Sequence, residues 1–137
     1  MVATKPHYVL TFDGGSRGNP GQGYGSYELR TCDGRSRITR LDYGENVTNN
    51  EAEYRTLIEG LQDTLRTLRA AGKDPKVYRV RVQGDSQLVI RQLNGQYQVR
   101  HPAMRPLHAQ VRALVPEFGA VEFVWHERAR SVETLGH

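Results

Sequence analysis

Residues 48–71 read TNNEAEYRTLIEGLQDTLRTLRAA, and this stretch decides the fold. Tyr54, Leu57, Ile58, Leu61, Leu65 and Leu68 recur at helical spacing, so one face of a long helix is apolar. Thr48-x-x-Glu51 is the pattern of a capping box, and Gly72 is a natural stop. The chain differs in kind on either side of this helix. Before it come short apolar runs broken by glycine. His7–Phe12, Gly23–Thr31 and Ser36–Tyr43 read as strands, the last two joined by a turn around Asp33-Gly34. That order gives a three-stranded antiparallel meander.

After the helix, strands and helices mix. Val77–Val82 sets Tyr78, Val80 and Val82 against Arg79 and Arg81, the alternation of a half-buried strand. Ser86–Leu93 reads as a short helix ended by Asn94-Gly95. Ala103–Val115 reads as another, with Pro106 in its first turn. Val121–Trp125 is the last expected strand, and a C-terminal helix after it is expected to be short or absent. The order β-β-β-α-β-α-α-β predicts an α/β fold: a five-stranded mixed sheet, three meander strands plus two parallel ones, with helices on both faces. The whole chain, residues 1–137, reads as a single domain.

Composition excludes several classes. No apolar run approaches a membrane span, and Met1–Phe12 lacks the pattern of a signal peptide. Cys32 is the only cysteine, which rules out an internal disulfide and a cysteine-rich zinc site and fits a cytoplasmic setting. The net charge of +4 is modest, but its distribution is uneven. Six acids and one arginine lie from Asp42 to Asp63, whereas nine Lys/Arg and two aspartates lie from Arg69 to Arg112. A basic half is compatible with a polyanionic partner and equally with a solvated surface.

Three acids stand out. Glu53 sits four residues before Leu57 and eight before Leu61, so it shares the apolar stripe of the long helix. Glu51, two residues away and about 200° around the helix, does not. Glu51 is satisfied as an N-terminal acid on the helix dipole, but an inward Glu53 needs a partner. Asp13 and Asp85 each follow a strand. Taken singly, they read as a turn aspartate and a helix N-cap. If the first and fourth strands are parallel neighbours, the three acids converge. Converging carboxylates repel unless a cation lies between them, and an all-oxygen set favours Mg²⁺ or Mn²⁺. Two such ions could hold a water and a leaving oxygen for phosphodiester hydrolysis. The glycine-rich DGGSRGNPG, residues 13–21, lacks the lysine of a phosphate-binding P-loop.

FDGGSRGNPG, TNNEAEY and GDSQLVI, in this order and spacing, resemble type 1 ribonuclease H over nearly the whole chain. The resemblance implies a metal-dependent endonuclease that cuts the RNA strand of RNA–DNA hybrids, with two Mg²⁺ or Mn²⁺ ions. Asp13, Glu53 and Asp85 match three of the family's four catalytic carboxylates and would be its metal ligands. The resemblance also implies that the main chain of Gly14, Gly15 and Ser16 meets RNA 2′-hydroxyls. By the same matching Asn19, Asn49, Asn50 and Gln87 would line the minor groove, Thr48 would meet a DNA phosphate, and Ser86 would belong to the substrate-binding set. The chain is similar to the compact subgroup without a basic protrusion, so Tyr97 and Arg100 either give a reduced hybrid-binding surface or pack a loop.

The resemblance breaks near the C-terminus, in FVWHERARSVETLGH. In gap-free register, Leu135 occupies the place of the fourth carboxylate and Ser131 that of an asparagine. A shift of two residues would bring in Glu133. Glu133, or else His137, is the candidate substitute. His126 lies where some members keep a histidine for product release, although a histidine beside Trp125 at a strand end is more often packing. The alternative function is a weakly active or inactive module that binds hybrid or double-stranded RNA, and under either reading the chain is expected to be a monomer.

Overall fold

The three expected meander strands are longer than their apolar runs. The computed structural model, which describes residues 5–136, has β1 at Tyr8–Gly18, β2 at Gly21–Thr31 and β3 at Ser36–Val47. β1 pairs with β2 without interruption from Tyr8 opposite Thr31 to Gly18 opposite Gly21. The glycine-rich stretch is therefore mostly ladder, and Asp13 lies in mid-strand rather than at a strand end. Glycine permits this because the ladder runs against a helix. A Cβ on Gly14 would stand 2.6 Å from the carbonyl of Ala52 and 2.7 Å from the amide of Glu53.

That helix, α1 (Asn49–Ala70), is the expected one. Thr48 caps it: its hydroxyl accepts from the Glu51 amide at 3.2 Å, and the Glu51 carboxylate reaches back to the Thr48 amide at 3.4 Å. Tyr54, Leu57, Ile58, Leu61, Leu65 and Leu68 are all buried, as the periodicity requires. Successive residues of a strand point to opposite faces. Leu10 and Phe12 of β1 lie in the core under α1, with Leu10 against Gly60. Thr11 and Asp13 therefore face the other way.

β4 (Arg79–Gly84) starts and ends two residues later than expected, because Pro75–Val77 forms a 3₁₀ turn capped by Asp74. β5 (Ala120–Trp125) follows α2 (Gln87–Leu93) and α3 (Met104–Leu114). The sheet order is β3-β2-β1-β4-β5, with β1–β4 and β4–β5 parallel and the meander antiparallel. This is the expected mixed five-stranded sheet. α3 packs on α1, where Tyr54 meets His108 edge-on and its hydroxyl bonds Gln92 of α2 at 2.5 Å.

The C-terminal helix is short but present: α4 (Arg128–Leu135) packs on β1 and β2. Arg40 of β3, in register with Ser26 and so with Asp13, donates to the Leu135 carbonyl at 3.1 Å. α4 thus covers the face opposite α1. Ser131 and Leu135, one turn apart, are its buried residues. No helix among the described residues is long and apolar enough to cross a membrane.

The contact of Gly14 with α1 has a measurable consequence. Gly14→Ala forces the strand and helix apart and should cost about 1–3 kcal/mol, an overpacking penalty. Thermal denaturation in chelator should show the midpoint falling by several degrees, and an unchanged midpoint would contradict the close approach.

Candidate active site

Asp13 and Glu53 meet because β1 touches α1 at Gly14. The Gly14 amide donates to Glu53 Oε1 at 3.1 Å, so the residue after Asp13 holds the carboxylate that faces it. Asp85 arrives from the end of β4. Parallel pairing of β1 with β4 runs to Thr11 opposite Gln83, so Asp13 and Asp85 each lie two residues past its end. Asp85 is not the N-cap of α2. Ser86 is, its hydroxyl accepting from the Val89 amide at 3.3 Å. The Asp85 side chain is thereby left to turn toward the other acids, while its carbonyl accepts from Trp125 Nε1 at 3.1 Å. One oxygen from each of Asp13, Glu53 and Asp85 lies within 4.8 Å of the others.

This arrangement is electrostatically costly. Burial, and next the charge of Asp13, hold the Glu53 carboxyl well above the usual carboxylate range; the Gly14 amide opposes them and Asp85 adds to them. Glu53 Oε2 is buried without a hydrogen-bond partner among the described residues. Three converging carboxylates with such an oxygen fit a hard divalent cation, and the all-oxygen donor set favours Mg²⁺ or Mn²⁺. One positive group is already at hand. Arg128, at the start of α4, places Nη1 3.3 Å from Asp85 Oδ2 and 3.9 Å from Asp13 Oδ1. The sequence reading assigned Arg128 no role. Without an expected α4, nothing aimed Arg128 at the acids.

The other expected residues divide into groups. The Ser16 amide donates to Asn49 Oδ1 at 2.8 Å, and the Asn49 amide to Asn19 Oδ1 at 3.0 Å. Gly14, Gly15, Ser16, Asn19, Thr48 and Asn49 therefore form one connected rim between the β1–β2 hairpin and the start of α1. Asn50 is half-buried beside them. Ser86 and Gln87 follow Asp85 on the opposite flank, Ser86 as the cap and Gln87 exposed. At the far end of α2, the Arg91 guanidinium stacks over Tyr97. Tyr97 and Arg100 line one cleft with Arg105, His108 and Arg112.

Glu133 does not join the acidic group. Ser131 and Leu135 turn α4 inward, and Glu133, about 200° from either, is exposed. Leu135 packs into the interior, only 1% exposed. His137 lies outside the described residues. His126 is buried, and its Nε2 meets the Ser131 hydroxyl at 2.8 Å, a link from β5 to α4. Burial pushes its pKa down. It packs the structure here, and Ser131 is its partner.

Comparisons with known proteins agree with this architecture. Residues 11–134 match a family model described as reverse transcriptase-like. The chain is 38% identical over 125 residues to the bifunctional protein Rv2228c of Mycobacterium tuberculosis, covering 90% of this chain and 32% of that protein. It is 36% identical over 107 residues to ribonuclease HI of Halobacterium salinarum, covering 78% of this chain and 50% of the relative. The chain thus spans a third to a half of the length of these curated relatives. The crystal structure of RNase H1 from H. salinarum superposes with a TM-score of 0.81 at 31% identity, covering 93% of this chain and 92% of that one. LC11-RNase H1, solved in complex with an RNA/DNA hybrid, superposes with a TM-score of 0.81 at 28% identity, with coverages of 93% and 92%.

The raised Glu53 pKa gives a pH prediction. Glu53 binds its proton more tightly folded than unfolded, so the associated stability is complete below the usual carboxylate range and is lost as pH rises through the raised value. Glu53→Gln stays neutral throughout. In chelator it should match wild type near about pH 4 and melt about 2–5 °C higher near about pH 8. Calorimetry across pH checks this, and a variant less stable than wild type at high pH would contradict it.

Proposed function

We propose that this chain, which belongs to the ribonuclease H family, is a metal-dependent endonuclease that hydrolyses the RNA strand of RNA–DNA hybrids. The observation that carries this reading is the convergence of Asp13, Glu53 and Asp85, from three separate elements, within 4.8 Å. The hybrid bound by a similarly folded RNase H1 supports the same substrate class here.

Asp13 and Asp85 would hold Mg²⁺ or Mn²⁺, with Glu53 as a further ligand and as positioner of the attacking water. When bound, the divalent metal would lower the pKa of that water and offset charge at the phosphate. The Gly14 amide fixes Glu53 Oε1 and leaves Oε2 for the cation or the water. The main chain of Gly14–Ser16 would lie against RNA 2′-hydroxyls, the group that distinguishes RNA from DNA. Asn19, Asn49, Asn50 and Gln87 would follow the minor groove, and Thr48 would meet a phosphate of the DNA strand. Ser86 serves by capping α2, which keeps Asp85 in place. The products would carry 5′-phosphate and 3′-hydroxyl ends.

A second reading is a hybrid-binding module with little turnover. It is favoured by one observation: among the described residues no fourth carboxylate joins the group. Cleavage of an RNA-labelled hybrid, across Mg²⁺ and Mn²⁺, separates the two readings. Wild type should cut in the presence of metal, and Asp85→Asn should lose more than about 100-fold in rate while hybrid affinity changes less than about threefold. Tight, salt-dependent binding without cleavage by wild type would establish the module instead. Glu133→Gln, altering an exposed side chain outside the group, should cut within about twofold of wild type. A large loss there would return Glu133 to the site.

A further inference from the structure

We propose that Arg128 is the resident counter-cation of the carboxylate cluster and competes with the divalent ion for Asp13 and Asp85. The inference rests on the metal site proposed above and adds a residue that controls its occupancy. The geometry is specific. Arg128 is paired with both aspartates through the single nitrogen Nη1, at 3.9 Å from Asp13 Oδ1 and 3.3 Å from Asp85 Oδ2. Both carboxylates are nearly inaccessible, at 2% and 7% exposure, whereas the Arg128 side chain is 64% exposed. The cation therefore covers the acids from the solvent side.

Charge balance gives the reason. A guanidinium is permanently protonated, so Arg128 contributes one positive charge at any working pH. In the apo protein it offsets part of the repulsion among Asp13, Glu53 and Asp85. One divalent ion together with Arg128 would balance three carboxylates, whereas two divalent ions beside Arg128 would leave an excess. The contact is also of a kind that can be exchanged. It runs through a single nitrogen rather than a bidentate fork, and on the arginine side it is largely exposed, so a metal can replace it. Arg128 has somewhere to go, because its largely exposed side chain can turn out to solvent. The sequence supplies a matched control. Arg130, two residues along α4, lines a different cleft with Gln83, His126, Glu133 and Thr134.

The test is Mn²⁺ titration by calorimetry on the full chain without nucleic acid, beside thermal melting in chelator. Arg128→Gln should bind Mn²⁺ about 5- to 10-fold more tightly than wild type, as expected for removing one like charge about 4 Å from the site in a watery environment. Arg128→Lys should restore most of the wild-type affinity, and Arg130→Gln, with the same change in net charge, should leave it unchanged. In chelator Arg128→Gln should melt below wild type, and saturating Mn²⁺ should close that gap. Equal Mn²⁺ affinity in Arg128→Gln and wild type, with binding abolished by Asp85→Asn, would overturn the role of Arg128 and leave the metal site standing. Equal gains in Arg128→Gln and Arg130→Gln would also overturn it, since net charge alone would then account for the effect. No Mn²⁺ binding by any variant would overturn the metal site and this inference together.

Discussion

The structure turns on the contact between β1 and the first turns of α1. At Gly14 the strand backbone lies so close to Ala52 and Glu53 that a single added carbon would collide with main-chain atoms. Two things follow from that closeness. The Gly14 amide reaches the Glu53 carboxylate, and Asp13, the preceding residue on the opposite face of the sheet, is brought beside it. A helix set further from the sheet would bury the same apolar stripe but leave the two acids apart. The hydrogen bonds from Ser16 to Asn49 and from Asn49 to Asn19 hold the same junction at its outer end. The glycines of this stretch thus serve close packing of a strand on a helix, and the site is a consequence of that packing.

The third acid depends on a local competition. An aspartate between a strand and a helix would ordinarily cap the helix. Here the next residue, Ser86, takes that role. Asp85 is then held by its backbone, through the indole of Trp125, while its side chain turns to Asp13 and Arg128. The site is assembled from residues that each have a structural neighbour doing the ordinary work: Thr48 and Glu51 form the capping box of α1 so that Glu53 need not, and Ser86 caps α2 so that Asp85 need not. Carboxylates released in this way repel one another, and the Arg128 guanidinium meets two of them from the solvent side.

α4 supplies the remaining asymmetry. Eight residues suffice because the helix is tied twice: by the His126–Ser131 bond at its middle, and by the Arg40 contact to the Leu135 carbonyl at its end. With Ser131 and Leu135 facing inward, the helix presents Arg128 to the acids and turns Glu133 to solvent. The charge next to the carboxylates is therefore positive.

Much of this was legible in the sequence, for reasons that are local. Helical periodicity set α1 and placed Glu53 on its buried face, because a side chain four residues from Leu57 can point nowhere else. Alternation and turn residues set the meander and β4, and the order of elements set the mixed sheet. The motif spacing singled out Asp13, Glu53 and Asp85. What the sequence could not decide depends on distances between elements. Asp13 read as a strand end because glycine marks turns, yet an extended backbone pressed on a helix also requires glycine. Taken singly, Asp85 also read as a cap, because Asp and Ser are both capping residues and propensity does not choose between neighbours. α4 is too short for periodicity to announce, so neither the outward turn of Glu133 nor the approach of Arg128 was visible. Propensity and periodicity are properties of consecutive residues, whereas charge compensation is a property of atoms a few ångströms apart in space, and only the folded sheet brings those atoms together.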